Sequence, residues 1–176
     1  MIQPTGLAVM AQLGLAEAIM ARGARIDALE GIEEHGKRVL DASYAALGLP
    51  GAFGIGIHRA SLFAVLLDAA ERQAGITLHA DHAVTGSTCD ALGRRLTFAA
   101  RDPSAPFDLV VDASGWRTQF DAAPKGILPF GALWASLPML PDDPFAGNLL
   151  EQRYRRASQM AGVLPIGSRT GAGTSE

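Results

Sequence analysis

Residues 107–118 read FDLVVDASGWRT, in which Phe107 and Asp108 lead into a Leu-Val-Val run that closes on Asp-Ala-Ser-Gly before Trp116 and Arg117. An apolar run that is continuous rather than alternating predicts a strand buried on both faces over Leu109, Val110 and Val111. The turn after it is nearly bare of side chains. In open α/β sheets a ligand lies just beyond the carboxyl ends of such strands, where backbone without bulk lets a flat or charged group approach. A tight structural turn after an interior strand accounts for the tetrapeptide equally well.

Upstream, Ile57 to Gly75 carries the strongest helix signal. Leu62, Phe63, Leu66, Leu67 and Ala70 form one apolar stripe, Arg59 stands at the start and Gly75 ends it. The period then changes to two. Ile76, Leu78, Ala80 and Val84 alternate with polar residues, Gly86-Ser87-Thr88 reads as a turn, and Leu92 to Ala100 returns, giving a strand pair before a loop with two prolines, Pro103 and Pro106. Near the N-terminus, GLAVMAQLG and LAEAIMARG follow Pro4-Thr5 and predict two short helices. Each is closed by a glycine, Gly14 or Gly23, of the kind that ends helices in a left-handed conformation. ARIDALEGIEEHGKRVLDASY alternates on both sides of Glu34-His35-Gly36, the pattern of a hairpin with that turn at its tip. ILPFGALWASLP and LLEQRYRRASQMAGVLPIG predict three more strands, separated by PMLPDDPFAGN. The fold class that follows is mixed α/β.

Composition limits the function. A chain of 176 residues is long enough for one domain or two small lobes, and 15 basic against 18 acidic residues, without a like-charged run, offers no polyanion-binding surface. Nucleic acid is therefore not an expected partner. No apolar stretch approaches the roughly 18 residues that span a bilayer, and the N-terminus lacks the basic start of a secretory signal, so the cytoplasm is the default location. Cys89, the single cysteine, has no internal disulfide partner.

Three stretches in fixed order, IQPTGLAVMAQLGL, GIHRASLFAVLLDAA and FDLVVDASGWRT, resemble the FAD-dependent monooxygenases of the para-hydroxybenzoate hydroxylase type, and the resemblance runs to about Gly167. It implies that the first stretch lies near the flavin and that Arg59, opening the helix, contacts the cofactor. It also implies a three-strand meander leading to a strand that ends in Gly-Ala-Asp-Gly. Here Asp112-Ala113-Ser114-Gly115 matches that tetrapeptide. Ser114 stands where an acidic residue is usual, so a carboxylate role in holding the nicotinamide donor does not carry over; the backbone role of Ala113, Ser114 and Gly115 does. The implied chemistry uses NAD(P)H to reduce FAD and transfers one atom of O2 to a small, commonly aromatic substrate. Phe130, Trp134 and Tyr154 fall on the substrate-side strands, where they would line a pocket or serve as core.

The family's Gly-x-Gly-x-x-Gly phosphate loop and its later Gly-Asp motif have no counterpart here. The expectation is an interior portion of a longer enzyme. Its layout would be a partial FAD/NAD(P)-binding domain with a β-meander at 1–24 and 52–120, part of a substrate-binding β-sheet at 25–51 and 121–168, and a disordered tail at 169–176. Such a chain would have negligible FAD affinity by itself, and apolar faces around Leu62, Phe63, Leu66 and Leu109 to Val111 left partly uncovered would promote self-association. A non-catalytic remnant serving as a binding or interaction module is the alternative.

Other chemistries fit less well. Alternation along a strand would put His79 and His82 on opposite faces, and no metal site is expected. Ser114 lacks the flanking glycines of a nucleophile elbow, having Asp112 and Trp116 instead. Asp142-Asp143 sits between prolines as a solvated turn.

Overall fold

The computed structural model describes residues 1–115, 118, 120, 130–140 and 142–168. In chain order its elements are α1 (Pro4–Gln12), α2 (Ala16–Met20), β1 (Ala24–Ile26), β2 (Ala28–Glu33), β3 (Arg38–Ser43), a 3-10 turn (Tyr44–Leu47), β4 (Gly54–Gly56), α3 (Arg59–Arg72), β5 (Val84–Asp90), β6 (Gly93–Phe98), β7 (Leu149–Arg155) and β8 (Gln159–Val163). The fold is mixed α/β, in two units: Met1–Ile76 with Met139–Glu176, and Thr77–Pro138.

In the first unit, Pro4 opens α1, where its fixed φ suits the first turn and its missing N–H costs no helical hydrogen bond. The chain leaves the helix through Gly14 at φ +71°, the left-handed exit that the sequence predicts. Gly23 has no left-handed φ. Its place depends on close approach, since a Cβ there would lie 2.3 Å from Ile55 Cγ2. β1 pairs antiparallel with β4, and Ile2 bridges Ile55 through N–H···O bonds of 2.7 and 2.8 Å. Ile19, Ile55, Ile57 and Val65 are buried together, with Leu7, Met10, Leu15 and Leu62 packed around them. Full burial of such aliphatic side chains is worth about 1.5–3 kcal/mol each.

Helix α3 is present, but its buried face is not the predicted stripe. Ser61 and Val65 point inward with Leu62 half-buried, while Phe63 is 64% exposed and Leu66 is also exposed. Apolar residues cover more than half of this helix, so two overlapping stripes share the same spacing, and packing against α2 selects between them.

β2 and β3 form the predicted hairpin. Gly36 takes φ +86° at its tip, and the Glu33 carboxylate accepts the His35 and Lys37 N–H groups. β2 also pairs in parallel with β7, and β8 returns antiparallel to β7, giving the order β3-β2-β7-β8. The corner before β2 is tied to the residue before β7. Asp27 N–H donates to Asn148 O at 2.8 Å, and Asn148 Nδ2 donates to the Asp27 carboxylate at 2.9 Å. The Asn148 side-chain bond, with one from Arg25, holds the Asp27 carboxyl below the usual carboxylate range. Tyr44 is buried and donates to Gln3 Oε1; burial pushes its phenol up, and the Gln3 bond opposes the rise. After β8 the backbone at Pro165 passes directly over Gly56, where a Cβ would fall 1.9 Å from the Pro165 carbonyl oxygen.

In the second unit, β5 and β6 form an antiparallel hairpin, but the turn is at Ala91-Leu92 and not at Gly86-Ser87-Thr88, which lie within β5. Asp90 closes that turn by accepting the Leu92 N–H at 2.8 Å, and Gly93 follows at φ +130°. An aspartate two residues ahead of the N–H it caps, with glycine next, is stronger turn chemistry than Gly-Ser-Thr alone. No strand forms over 76–80. The third member of the expected meander begins and stops at Phe107, whose N–H and C=O pair with Arg94 at 2.8 and 3.0 Å.

Leu109, Val110 and Val111, predicted as a buried strand, are not a strand. Leu109 is 77% and Val111 78% exposed. A strand is stable only when its backbone groups find a ladder partner, and among the described residues none flanks these three. Residues 130–140 likewise contain no strand, so of the three strands expected beyond residue 126 the described residues include two, β7 and β8. Residues 169–176, expected as a disordered tail, lie outside the described residues.

Candidate functional site

The bare turn after Val111 is built by one carboxylate. Asp112 Oδ1 accepts both the Ser114 N–H at 2.9 Å and the Ser114 hydroxyl at 2.6 Å, a side-chain-closed turn that needs no strand before it. Gly115 follows at φ +73°, and its carbonyl accepts the Thr118 N–H at 3.2 Å. A Cβ on Gly115 would meet nothing within 4 Å, so the space above it is open.

This turn borders a cavity of about 440 Å³ lined by Val84, Leu96, Val110, Val111, Asp112, Ala113, Ser114 and Phe120. The volume is of the size that holds a small organic ligand. Among the described residues, aliphatic and aromatic groups form most of its wall, joined by the residues of the turn, Asp112 and Ser114. Val84 and Leu96 come from β5 and β6. The hairpin therefore supplies one wall and the Asp112 turn the other.

The residues singled out from the sequence divide between the units. Ala113 and Ser114 border the cavity, with Gly115 next in sequence. Phe130 and Trp134 belong to the same unit but do not line it; they lie in irregular backbone, 73% and 66% exposed. The expectation that they sit on strands is thus corrected, because the described part of the 127–138 segment pairs with no strand. Arg59 opens α3 in the first unit and is exposed. Tyr154 is on β7, half-buried, and donates to Gln152 Oε1 at 2.6 Å. Trp116 and Arg117 lie outside the described residues. Val84, Leu96 and Phe120 line the cavity without having been picked out from the sequence. Leu96 carries a legible signal, the alternation Arg95, Leu96, Thr97, Phe98 on a strand.

The lining tests which part of an FAD molecule fits. Aliphatic walls and exposed backbone at Ala113 and Ser114 suit a flat, uncharged ring. A diphosphate has no cationic partner among the described lining residues and would face the Asp112 carboxylate, which already accepts the Ser114 N–H. The described lining therefore suits a ring better than it suits phosphates.

No protein-family model and no curated protein sequence matches the chain. Among the described residues no helix is long and apolar enough to cross a membrane.

Proposed function

We propose that this chain supplies ring-facing and substrate-facing walls of an FAD-dependent monooxygenase that uses NAD(P)H and O2 on a small, commonly aromatic substrate. The observation that supports this reading is the apolar cavity bordered by Val110, Val111, Ala113 and Ser114, at the turn that the ordered sequence resemblance associates with the flavin. When bound, the flavin would supply the redox chemistry. The protein's own part is to hold a flat ring against aliphatic walls, exclude water and leave backbone at Ala113 to Gly115 free of bulk. Arg59 is assigned to the cofactor's polar groups by the resemblance, and Phe130, Trp134 and Tyr154 to the substrate. The expected partners are small molecules rather than nucleic acid, and NAD(P)H use accords with a cytoplasmic location.

Lumiflavin, which carries the ring without phosphates, separates ring binding from phosphate binding. Fluorescence titration is expected to give saturable lumiflavin quenching, with FAD bound no more tightly. Ala113→Leu, which adds bulk to the cavity wall at a solvent-facing position, should weaken lumiflavin about fivefold or more, the scale of 1 kcal/mol. Unsaturable quenching, or an Ala113→Leu titration identical to the parent, would sink the reading. Among the described lining residues there is no cation, which favours a second reading, a non-catalytic binding module. It predicts the same ring binding with no flavin-dependent oxidation of NADH or NADPH.

A further inference from the structure

His79 and His82 do not lie on a strand. The backbone turns between them, with Asp81 at φ +56°, a left-handed conformation rare for a residue with a side chain. That turn brings the two imidazole rings onto the same side, 5.0 Å apart between centres and inclined at 50°. The premise that alternation separates them therefore does not hold in this segment.

Two further contacts fix the second ring. His82 Nδ1 stands 2.6 Å from the Ala80 carbonyl oxygen, a bond that requires the proton on Nδ1 and leaves the Nε2 lone pair available. The same arrangement, Nδ1–H to a backbone carbonyl, orients metal-ligating histidines generally. The Phe98 ring meets His82 edge-on at 5.5 Å and 89°, which limits rotation of the imidazole.

The spacing matches shared coordination. A metal ion about 2.0–2.1 Å from an imidazole nitrogen stands about 3.2 Å from the ring centre. Two rings on one ion at an N–metal–N angle of roughly 90–110° then have centres about 4.5–5.2 Å apart, and the observed separation of 5.0 Å lies within that interval. Among the described residues no third His, Cys, Asp or Glu joins the pair. The remaining coordination positions belong to water or an exchangeable small ligand.

We infer that His79 and His82 form a two-histidine binding site for a late divalent transition-metal ion, with the affinity order peaking at Cu(II) as imidazole donors dictate. Hard ions such as Mg²⁺ and Ca²⁺ find no oxygen cage there and do not compete.

The test is Cu(II) titration of the untagged full chain, followed by electron paramagnetic resonance of the 1:1 complex. His79→Ala and His82→Ala should each weaken binding by at least about tenfold, since loss of a ligand costs no less than loss of its supporting partner. The two-nitrogen imidazole signature should be lost in both, while His35→Ala and His58→Ala leave affinity unchanged. His79 is exposed and His82 is half-buried beside Phe98 without being part of the core cluster, so circular dichroism of the variants should match the parent. Parent affinity retained in His79→Ala and His82→Ala would assign the copper to the Met1 amine or another group and overturn the proposal, as would failure of the parent to bind a stoichiometric ion.

Discussion

Gly56 offers the sharpest perturbation in the first unit. It is buried at the end of β4, paired with Ala24, and the backbone after β8 crosses it so closely that a methyl group would sit 1.9 Å from the Pro165 carbonyl oxygen and 3.2 Å from Leu164 Cδ1. Ordinary carbon–oxygen contact begins at about 3.3 Å. Gly56→Ala therefore requires a backbone displacement of more than an ångström. The obstacle is a carbonyl oxygen, not the end of a flexible side chain. Either the three-residue β1–β4 ladder opens or the Pro165 segment lifts from Gly56, and each exposes the cluster of Ile19, Ile55 and Ile57. Overpacking of this kind costs about 2–3 kcal/mol, which for a chain of this length lowers Tm by about 4–12 °C. Thermal and urea unfolding by circular dichroism measure it, with Gly75→Ala as control. A methyl group on Gly75 would meet nothing within 4 Å, and its φ is not left-handed, so that replacement should be neutral or stabilising by about 0.4–1 kcal/mol. Equal stability of the two variants would refute the claim that close backbone crossing at Gly56 holds this unit together.

Two other perturbations follow from the same structure. The Asp27 carboxyl is depressed by its Asn148 and Arg25 bonds, so its contribution is present above the unfolded carboxylate pKa of about 3.9 and is lost as pH falls through the lower folded value. The group is well exposed, so Asp27→Ala should cost no more than about 1 kcal/mol at neutral pH, with the difference from the parent vanishing in acid urea titrations; a difference that grows as pH falls would contradict the assignment. Arg156 holds φ +53° in the turn between β7 and β8, so Arg156→Gly should relieve strain and raise stability by up to about 1 kcal/mol in denaturant melts, and a loss of that size would show that the arginine side chain matters more than its backbone.

Part of the candidate site was legible. Asp-Ala-Ser-Gly announces a side-chain-closed turn because Asp and Ser bond their own backbone and glycine accepts φ of +73°. That local chemistry operates whether or not a strand precedes it, which is why Ala113 and Ser114 border a cavity although the predicted Leu109–Val111 strand does not form. Val84 and Phe120 were not legible as cavity walls, since a lining residue is defined by what faces it. His79 and His82 show the converse. Their separation in sequence was read with a strand period, and a single left-handed residue between them reversed the geometry.

By itself the sequence determined the elements whose causes are local: the helix entered at Pro4 and left through Gly14, the hairpin turning at Gly36, and the presence of a helix within Ile57 to Gly75, which runs from Arg59 to Arg72 and stops before the predicted glycine. Tertiary structure alone decided which face of α3 is buried, which segments pair, and that β2 lies parallel to β7, tied through Asp27 and Asn148 across 121 positions of chain. Backbone dihedral preference and side-chain period act over a few residues and are written into each segment. Pairing and burial depend on partners brought from elsewhere, so an apolar run such as Leu109-Val110-Val111 states what it could bury without stating that anything is there to bury it.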